Sequence, residues 1–365
     1  MSDVTTTHGW GSYSVNVIAS LAELGHTFTL FVPDNSERHP DFTTHRVLPN
    51  MHPLTRFFVP KMLARTRKIR QLSAECDLIH ATVELYAPLA HWIAGERPVV
   101  VTGHGSYVRY PDFRRFPVSW LYRQAYNQSA LVCVSEYTAK VAKQVAPQAR
   151  ISVIPNAIDT DIFADIKRQP AERPTVVTLG GVKARKGTLA LVEAMAVVRE
   201  QIPDVQCIIM GSTTVEPAYT AQVQDAIARH RLENTVQLTG FIDAATLRDW
   251  YAKAHVFALP SLNAGWKFEG FGLSTLEASA AGIPVIGTRD CGAEDAIDHN
   301  KTGLLVSQTN IAEELPIALV RLLTDHELAQ KMGIAGREKA LSHTWQDVGI
   351  QLDDLYHELT GVTNK

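Results

Sequence analysis

The chain has 365 residues, 45% hydrophobic and 20% charged, with four cysteines and a formal net charge of -3. That length is more than one core usually serves and the composition excludes an intrinsically disordered chain, so two globular domains of roughly 150 to 200 residues are expected. No run of 18 apolar residues and no basic-then-apolar leader occurs in the sequence, so neither a membrane-spanning helix nor export is expected. The net charge hides an asymmetry: sixteen Lys and Arg face eleven Asp and Glu through Pro155, against nineteen and twenty-seven beyond it. Halves of opposite sign are expected to meet different partners. Cys76, Cys133, Cys207 and Cys291 match no zinc or redox spacing, and a reducing cytosol fits.

In chain order, the first half offers strand-like apolar runs at Thr27 to Val32, Leu78 to Thr82, Pro98 to Thr102, Leu131 to Val134 and Ile151 to Ile154. The second half offers Thr175 to Leu179, Val205 to Met210, Val236 to Thr239, Val256 to Leu259 and Pro284 to Gly287. Helical patterns such as Ser14 to Leu24, Leu189 to Arg199 and Tyr219 to Arg229 separate them, and a further one closes the chain at Trp345 to Leu359. Strands alternating with helices predict parallel sheets covered on both faces. The turn-rich stretch Pro155 to Phe163 divides them into two Rossmann-like, doubly wound α/β domains, residues 1–157 and 158–344, with 345–365 expected to pack back on the first. Ligands of such sheets bind beyond the carboxyl ends of the strands, and a central cleft faced by both domains is the expected site.

The stretch from Glu269 to Glu277, Glu-Gly-Phe-Gly-Leu-Ser-Thr-Leu-Glu, is the most informative segment. A strand-like run ends in Leu259-Pro-Ser261 before it, and Leu276, Ala280 and Ala281 recur at helical spacing after it, until Gly282-Ile-Pro284 stops the pattern. Strand, loop and helix in that order leave the amides of Phe271, Gly272 and Leu273 as donors at the positive end of a helix, which suits a phosphate. Glu277, about one turn further in, can reach a hydroxyl pair beside it. The alternative is a plain helix start with two solvated glutamates.

Eight further short pieces, ten with Leu259-Pro-Ser261 and Glu269 to Glu277, carry a resemblance. They include His8-Gly-Trp-Gly-Ser12, Thr102-Gly-His-Gly105, Val134-Ser-Glu136, Ile154-Pro-Asn-Ala-Ile-Asp159, Leu179-Gly through Arg185-Lys-Gly187, Met210-Gly211, Thr239-Gly-Phe241 and Thr302 to Val306. Over nearly its whole length the sequence resembles a retaining glycosyltransferase of the two-domain GT-B fold, group 1, family 4. The resemblance implies transfer of a hexose-type sugar from a nucleotide diphosphate sugar to an acceptor hydroxyl, with no metal and no cofactor. It implies that Arg185, Lys186, Gly11 and the amides of Phe271, Gly272 and Leu273 hold the donor diphosphate, and that Glu277 accepts from the ribose. Glu269, His104 and Lys186 are the expected catalytic set, Glu269 and His104 contacting the donor sugar and Lys186 opposing the charge that grows on the leaving diphosphate. A GT-B nucleotide-sugar epimerase and a non-catalytic nucleotide-sugar binder are the remaining alternatives.

Two departures stand out. Gly181 occupies a position where the family often has an arginine, and Lys183 or Arg185 is expected to take over. Only Met1 to Thr7 precede His8, where the family has an apolar strand, so that strand is expected to be short and polar or the start trimmed. Asp159-Thr-Asp161 reads as turn structure and not as a metal motif. The basic segment 56–70 interleaves cations with Phe57, Phe58, Met62 and Leu63, and Arg109, Arg114, Arg115 and Trp120 form a second such patch. These are expected either to touch an anionic membrane surface or a lipid-linked or anionic acceptor, or to be ordinary helices packed by their apolar faces. The expected location is cytoplasmic or peripheral at the inner membrane face, with no nucleic-acid partner.

Overall fold

The computed structural model describes residues 9–34, 36, 38–50 and 57–361. The chain forms two compact units, one from Met1–Asn156 with Trp345–Lys365 and the other from Ala157–Thr344. The expected strand before His8, His8 itself and Arg56 lie outside the described residues.

In the first unit, β1 (Thr29–Pro33) and β2 (Thr43–Leu48) form a parallel pair, while β3 (Ile79–Ala81), β4 (Val99–Gly103), β5 (Ala130–Cys133) and β6 (Arg150–Val153) form a parallel sheet in sequence order. β4 is buried along its whole length, which is why it reads as an unbroken Val-Val-Val run and not as an alternating one. The second unit has β7 (Thr175–Leu179), β8 (Gln206–Met210), β9 (Val236–Gly240), β10 (Val256–Ala258), β11 (Val285–Thr288) and β12 (Gly303–Val306), all parallel. Their order across the sheet is β12-β11-β10-β7-β8-β9. Each unit has its own core: Met62, Tyr86, Val101 and Tyr122 belong to the first, and Val176, Met195, Ile209 and Leu319 to the second.

The sequence pattern misses β2, whose Thr-Thr-His-Arg start is half exposed and polar, and β12, a buried Gly-Leu-Leu-Val run of only four residues. The glycine motif at Gly9 to Ser12 lies inside a helix, Gly9–Glu23. Gly11, expected at the diphosphate, is buried within it, and the Ser12 carbonyl accepts from Asn16 Nδ2 at 2.9 Å. Helix Phe58–Leu72 buries Phe58, Met62 and Ile69, so much of the apolar content of the basic segment belongs to the core, whereas Phe57 and Leu63 stay exposed.

The last helix, Trp345–Thr360, packs on the Gly9 helix. Small residues bring the two close: a Cβ on Gly349 would lie 2.7 Å from that of Ser20. Polar ties follow along the same helix, with Tyr356 Oη 2.5 Å from His80 Nδ1 and His80 Nε2 2.8 Å from Thr102 Oγ1 on β4.

Candidate functional site

β7 and β10 are hydrogen-bonded neighbours, with Val176 opposite Val256 and Val177 opposite Phe257. From β7 the chain runs outward through β8 and β9, and from β10 it runs the other way through β11 and β12. The pair is therefore the point where strand order reverses, and the loops beyond its carboxyl ends diverge to leave a crevice.

Those two loops are held against each other at a glycine. Gly187 has φ +66° and closes the 3-10 turn Ala184–Lys186. A Cβ there would stand 1.8 Å from the Pro260 carbonyl oxygen, so only glycine lets the β7 loop approach the end of β10 so closely. The Leu262 amide donates to the Arg185 carbonyl at 2.8 Å, completing the junction.

On this frame, three of the expected residues converge. Arg185 Nη1 and Lys186 Nζ donate to the same oxygen, Oε2 of Glu269, at 2.6 and 2.8 Å, and Ser261 Oγ donates to it at 3.2 Å. Glu269 is buried, at 7% exposure. Burial alone would push its carboxyl up, but the charges of Lys186 and Arg185, with hydrogen bonds from Lys186 and Ser261, outweigh it and hold it at about 2. Two cations against one carboxylate leave the cluster positive. Lys183 senses that surplus: burial first, then the charges of Arg185 and Lys186, lower its ammonium pKa. Its side chain lies over Gly181, where an added Cβ would be 3.2 Å from Lys183 Cε.

Beyond Glu269 the chain turns through Gly272, φ +89°, into helix Leu273–Ala280, which no side chain caps. Among the described residues the amides of Phe271, Gly272 and Leu273 meet no acceptor, whereas those of Thr275 and Leu276 return to the Gly272 carbonyl. Three free donors at a helix start beside a positive cluster are an arrangement that suits an anion. Gly292 secures the loop from behind, since a Cβ there would lie 2.0 Å from the Gly270 carbonyl oxygen. Glu277, on the same helix, takes no hydrogen bond from any described residue. Burial of its carboxyl pushes it up to about 7 against the pull of Lys186.

In the first unit, His104 follows β4. Its Nε2 donates to the Thr82 carbonyl at 2.8 Å and its ring meets Tyr13 of the Gly9 helix edge-on at 4.6 Å. A carbonyl can only accept, so Nε2 carries the proton and Nδ1 presents a lone pair. Burial lowers the imidazole to about 4, against the Thr82 carbonyl, and keeps it neutral. His104 is thus built as a hydrogen-bond acceptor.

Two residues of these arrangements have roles that the motifs do not give. Glu84, buried at 1% exposure, accepts from the His104 amide at 2.5 Å and so fixes the Gly-His-Gly loop. Burial pushes its carboxyl up to about 7, partly offset by the amides of Glu84, His104 and Gly105. Ser261, the third donor to Glu269, is the other. Its position at the end of β10, in Leu-Pro-Ser, is the one local signal that pointed to it.

Residues 159–339 match the family model for glycosyl transferases group 1, and residues 7–162 match the model for glycosyltransferase family 4. A GDP-mannose-dependent alpha-(1-6)-phosphatidylinositol monomannoside mannosyltransferase of Mycobacterium tuberculosis is 33% identical over 309 residues, covering 79% of this chain and 78% of that protein. This chain belongs to the group 1 glycosyltransferases. A D-inositol 3-phosphate glycosyltransferase of Pseudarthrobacter chlorophenolicus is 29% identical over 233 residues, covering 61% of the glycosyltransferase described here and 54% of its own length.

Among solved structures, a sucrose-phosphate synthase from Thermosynechococcus elongatus superposes on the glycosyltransferase with a TM-score of 0.80 at 24% identity, over 98% of this chain and 94% of that one. HepE of Anabaena, in complex with UDP and glucose, does so with 0.74 at 18% identity, over 98% of each. The glycosyltransferase has the GT-B fold, and its reaction class is glycosyl transfer from a nucleotide sugar.

Proposed function

We propose that the enzyme moves a hexose, mannose in the first instance, from its nucleotide diphosphate donor to a hydroxyl of a lipid-linked or anionic acceptor, with retention of anomeric configuration and without a metal. The observation that carries the reading is the paired use of one buried carboxylate oxygen by Arg185 and Lys186, beside three amides with no acceptor. In this proposal the second unit binds the donor and the first the acceptor. The arriving diphosphate takes over Arg185 and Lys186 from Glu269 and receives the amides of Phe271, Gly272 and Leu273. Lys183, lying over Gly181, supplies the further cation for which the family uses an arginine.

Released from part of its pairing, Glu269 accepts from the sugar hydroxyls, Glu277 from the ribose, and His104 Nδ1 from a sugar hydroxyl. Preformed donors of this kind act on the charge that develops as the diphosphate leaves, and each contributes about 3 to 4 kcal/mol to lowering the barrier. The leaving diphosphate, on the same face as the acceptor, takes the acceptor proton.

The mannose assignment is supported by the relative that is GDP-mannose-dependent, and the lipid-linked acceptor by its phosphatidylinositol monomannoside substrate. The second basic patch supports contact with a membrane surface: Phe116 is 81% and Trp120 55% exposed, next to exposed Arg115. Among the described residues no helix is long and apolar enough to cross a membrane.

Thermal shift with UDP, GDP and ADP, followed by mass spectrometry of reactions with the matching sugar donors, tests the reading. A nucleotide at 100 times its dissociation constant stabilises by about 2.7 kcal/mol. GDP is expected to give the largest shift and GDP-mannose a mannosylated lipid product. Absence of both transfer and slow donor hydrolysis with every matching donor would sink it.

A further inference from the structure

We infer that the first unit carries a zinc-class metal site, formed by His26, Asp353 and His357, separate from the residues assigned to the donor. Asp353 and His357 stand one turn apart on helix Trp345–Thr360, so their side chains share a face. His26 comes from the turn between the Gly9 helix and β1. Gly25 there has φ +94°, and the His26 amide is pinned to the Leu21 carbonyl at 3.1 Å. His26 Nε2 lies 2.6 Å from Asp353 Oδ1 and His357 Nε2 lies 3.0 Å from the same oxygen. All three donor atoms fall within 4.8 Å of one another.

Two imidazole nitrogens and one carboxylate oxygen are a common donor set for zinc. With bonds of about 2.0 to 2.2 Å, tetrahedral ligands sit about 3.4 Å apart. Small outward movements of the two rings from 2.6 and 3.0 Å reach that spacing. The rings are already oriented by packing: His26 meets Tyr356 edge-on at 5.7 Å and His357 at a tilt at 6.1 Å. The three side chains are 25%, 16% and 22% exposed, buried enough to hold an ion and open enough to admit one. His26, His357 and Thr360 also line a cavity of roughly 620 Å³ that reaches Leu78 and His80, which gives an entry path and leaves the fourth corner to water.

Such an ion joins residues 327 positions apart in sequence, so zinc binding stabilises the folded first unit. The full chain, stripped with chelator and dialysed against zinc, is expected to retain one zinc per chain and to gain at least about 2 °C in its first thermal transition. His26→Gln and His357→Gln keep a hydrogen-bonding group toward Asp353 but remove a preferred ligand. Each is expected to weaken zinc at least about tenfold, the least that loss of even an outer-shell partner costs, and to abolish the zinc-induced shift. Two results overturn the inference: no stoichiometric zinc and no shift in the unsubstituted protein, which would make the three residues a hydrogen-bonded tie alone, or unchanged zinc affinity in both variants, which would put the ion elsewhere.

Discussion

Replacing Glu269 with glutamine keeps the size and an acceptor oxygen at the junction of Arg185, Lys186 and Ser261 but removes the charge that both cations share. The hold of those cations can be sized from the carboxyl itself, which lies at about 2 where an ordinary glutamate sits at 4.5. That gap corresponds to about 3 kcal/mol in favour of the ionised, folded form. Because the folded value is depressed, this stability is present above pH 4.5 and is lost as pH falls toward 2. Urea unfolding of the second unit at a series of pH values, for the parent and Glu269→Gln, reads the effect. The difference in stability should be about 3 kcal/mol near neutral pH and shrink toward zero near pH 2. A difference that stays constant from pH 7 to pH 2 would refute the electrostatic account and leave only packing at Glu269.

Glu277, held up to about 7 by burial, accepts from both ribose hydroxyls only when ionised, so nucleotide affinity should fall about tenfold per pH unit below pH 7. Calorimetry in buffers of different ionisation enthalpy should detect proton release on binding, and Glu277→Gln should flatten both effects. Gly187→Ala puts a Cβ 1.8 Å from the Pro260 carbonyl at φ +66°. The strain alone costs about 1 to 3 kcal/mol, and the displaced loop should reduce the nucleotide-induced thermal shift; a normal melting point with a normal shift would contradict the close approach. Phe116→Ala with Trp120→Ala should lower binding to acidic lipid vesicles while leaving nucleotide affinity unchanged, and vesicle binding by the parent should weaken with salt. Binding that ignores both salt and substitution would rule out the patch.

Local sequence was enough to locate ten of the twelve described parallel strands, because buried strands such as β4 and β8 read as apolar runs and the helices between them must repeat at 3.6 residues. It also exposed the Glu269 to Glu277 loop, since glycine, an uncapped helix start and a following apolar face are all encoded within nine positions. Half-polar β2 was illegible for the converse reason: its pattern follows from an exposed edge and not from a core.

Which groups meet was decided by tertiary structure. Reversal of strand order at β7 and β10 brings Arg185 to Glu269 across 84 positions, and the absence of a side chain at Gly187 sets how closely their loops approach. The hold of Glu84 on the His104 loop and the meeting of His26 with Asp353 likewise depend on the packing of distant elements. Residue spacing carries periodicity and turn chemistry along the chain, but the charge state of a carboxylate depends on what surrounds it in space, as the opposite shifts of Glu269 and Glu277, eight positions apart, make plain.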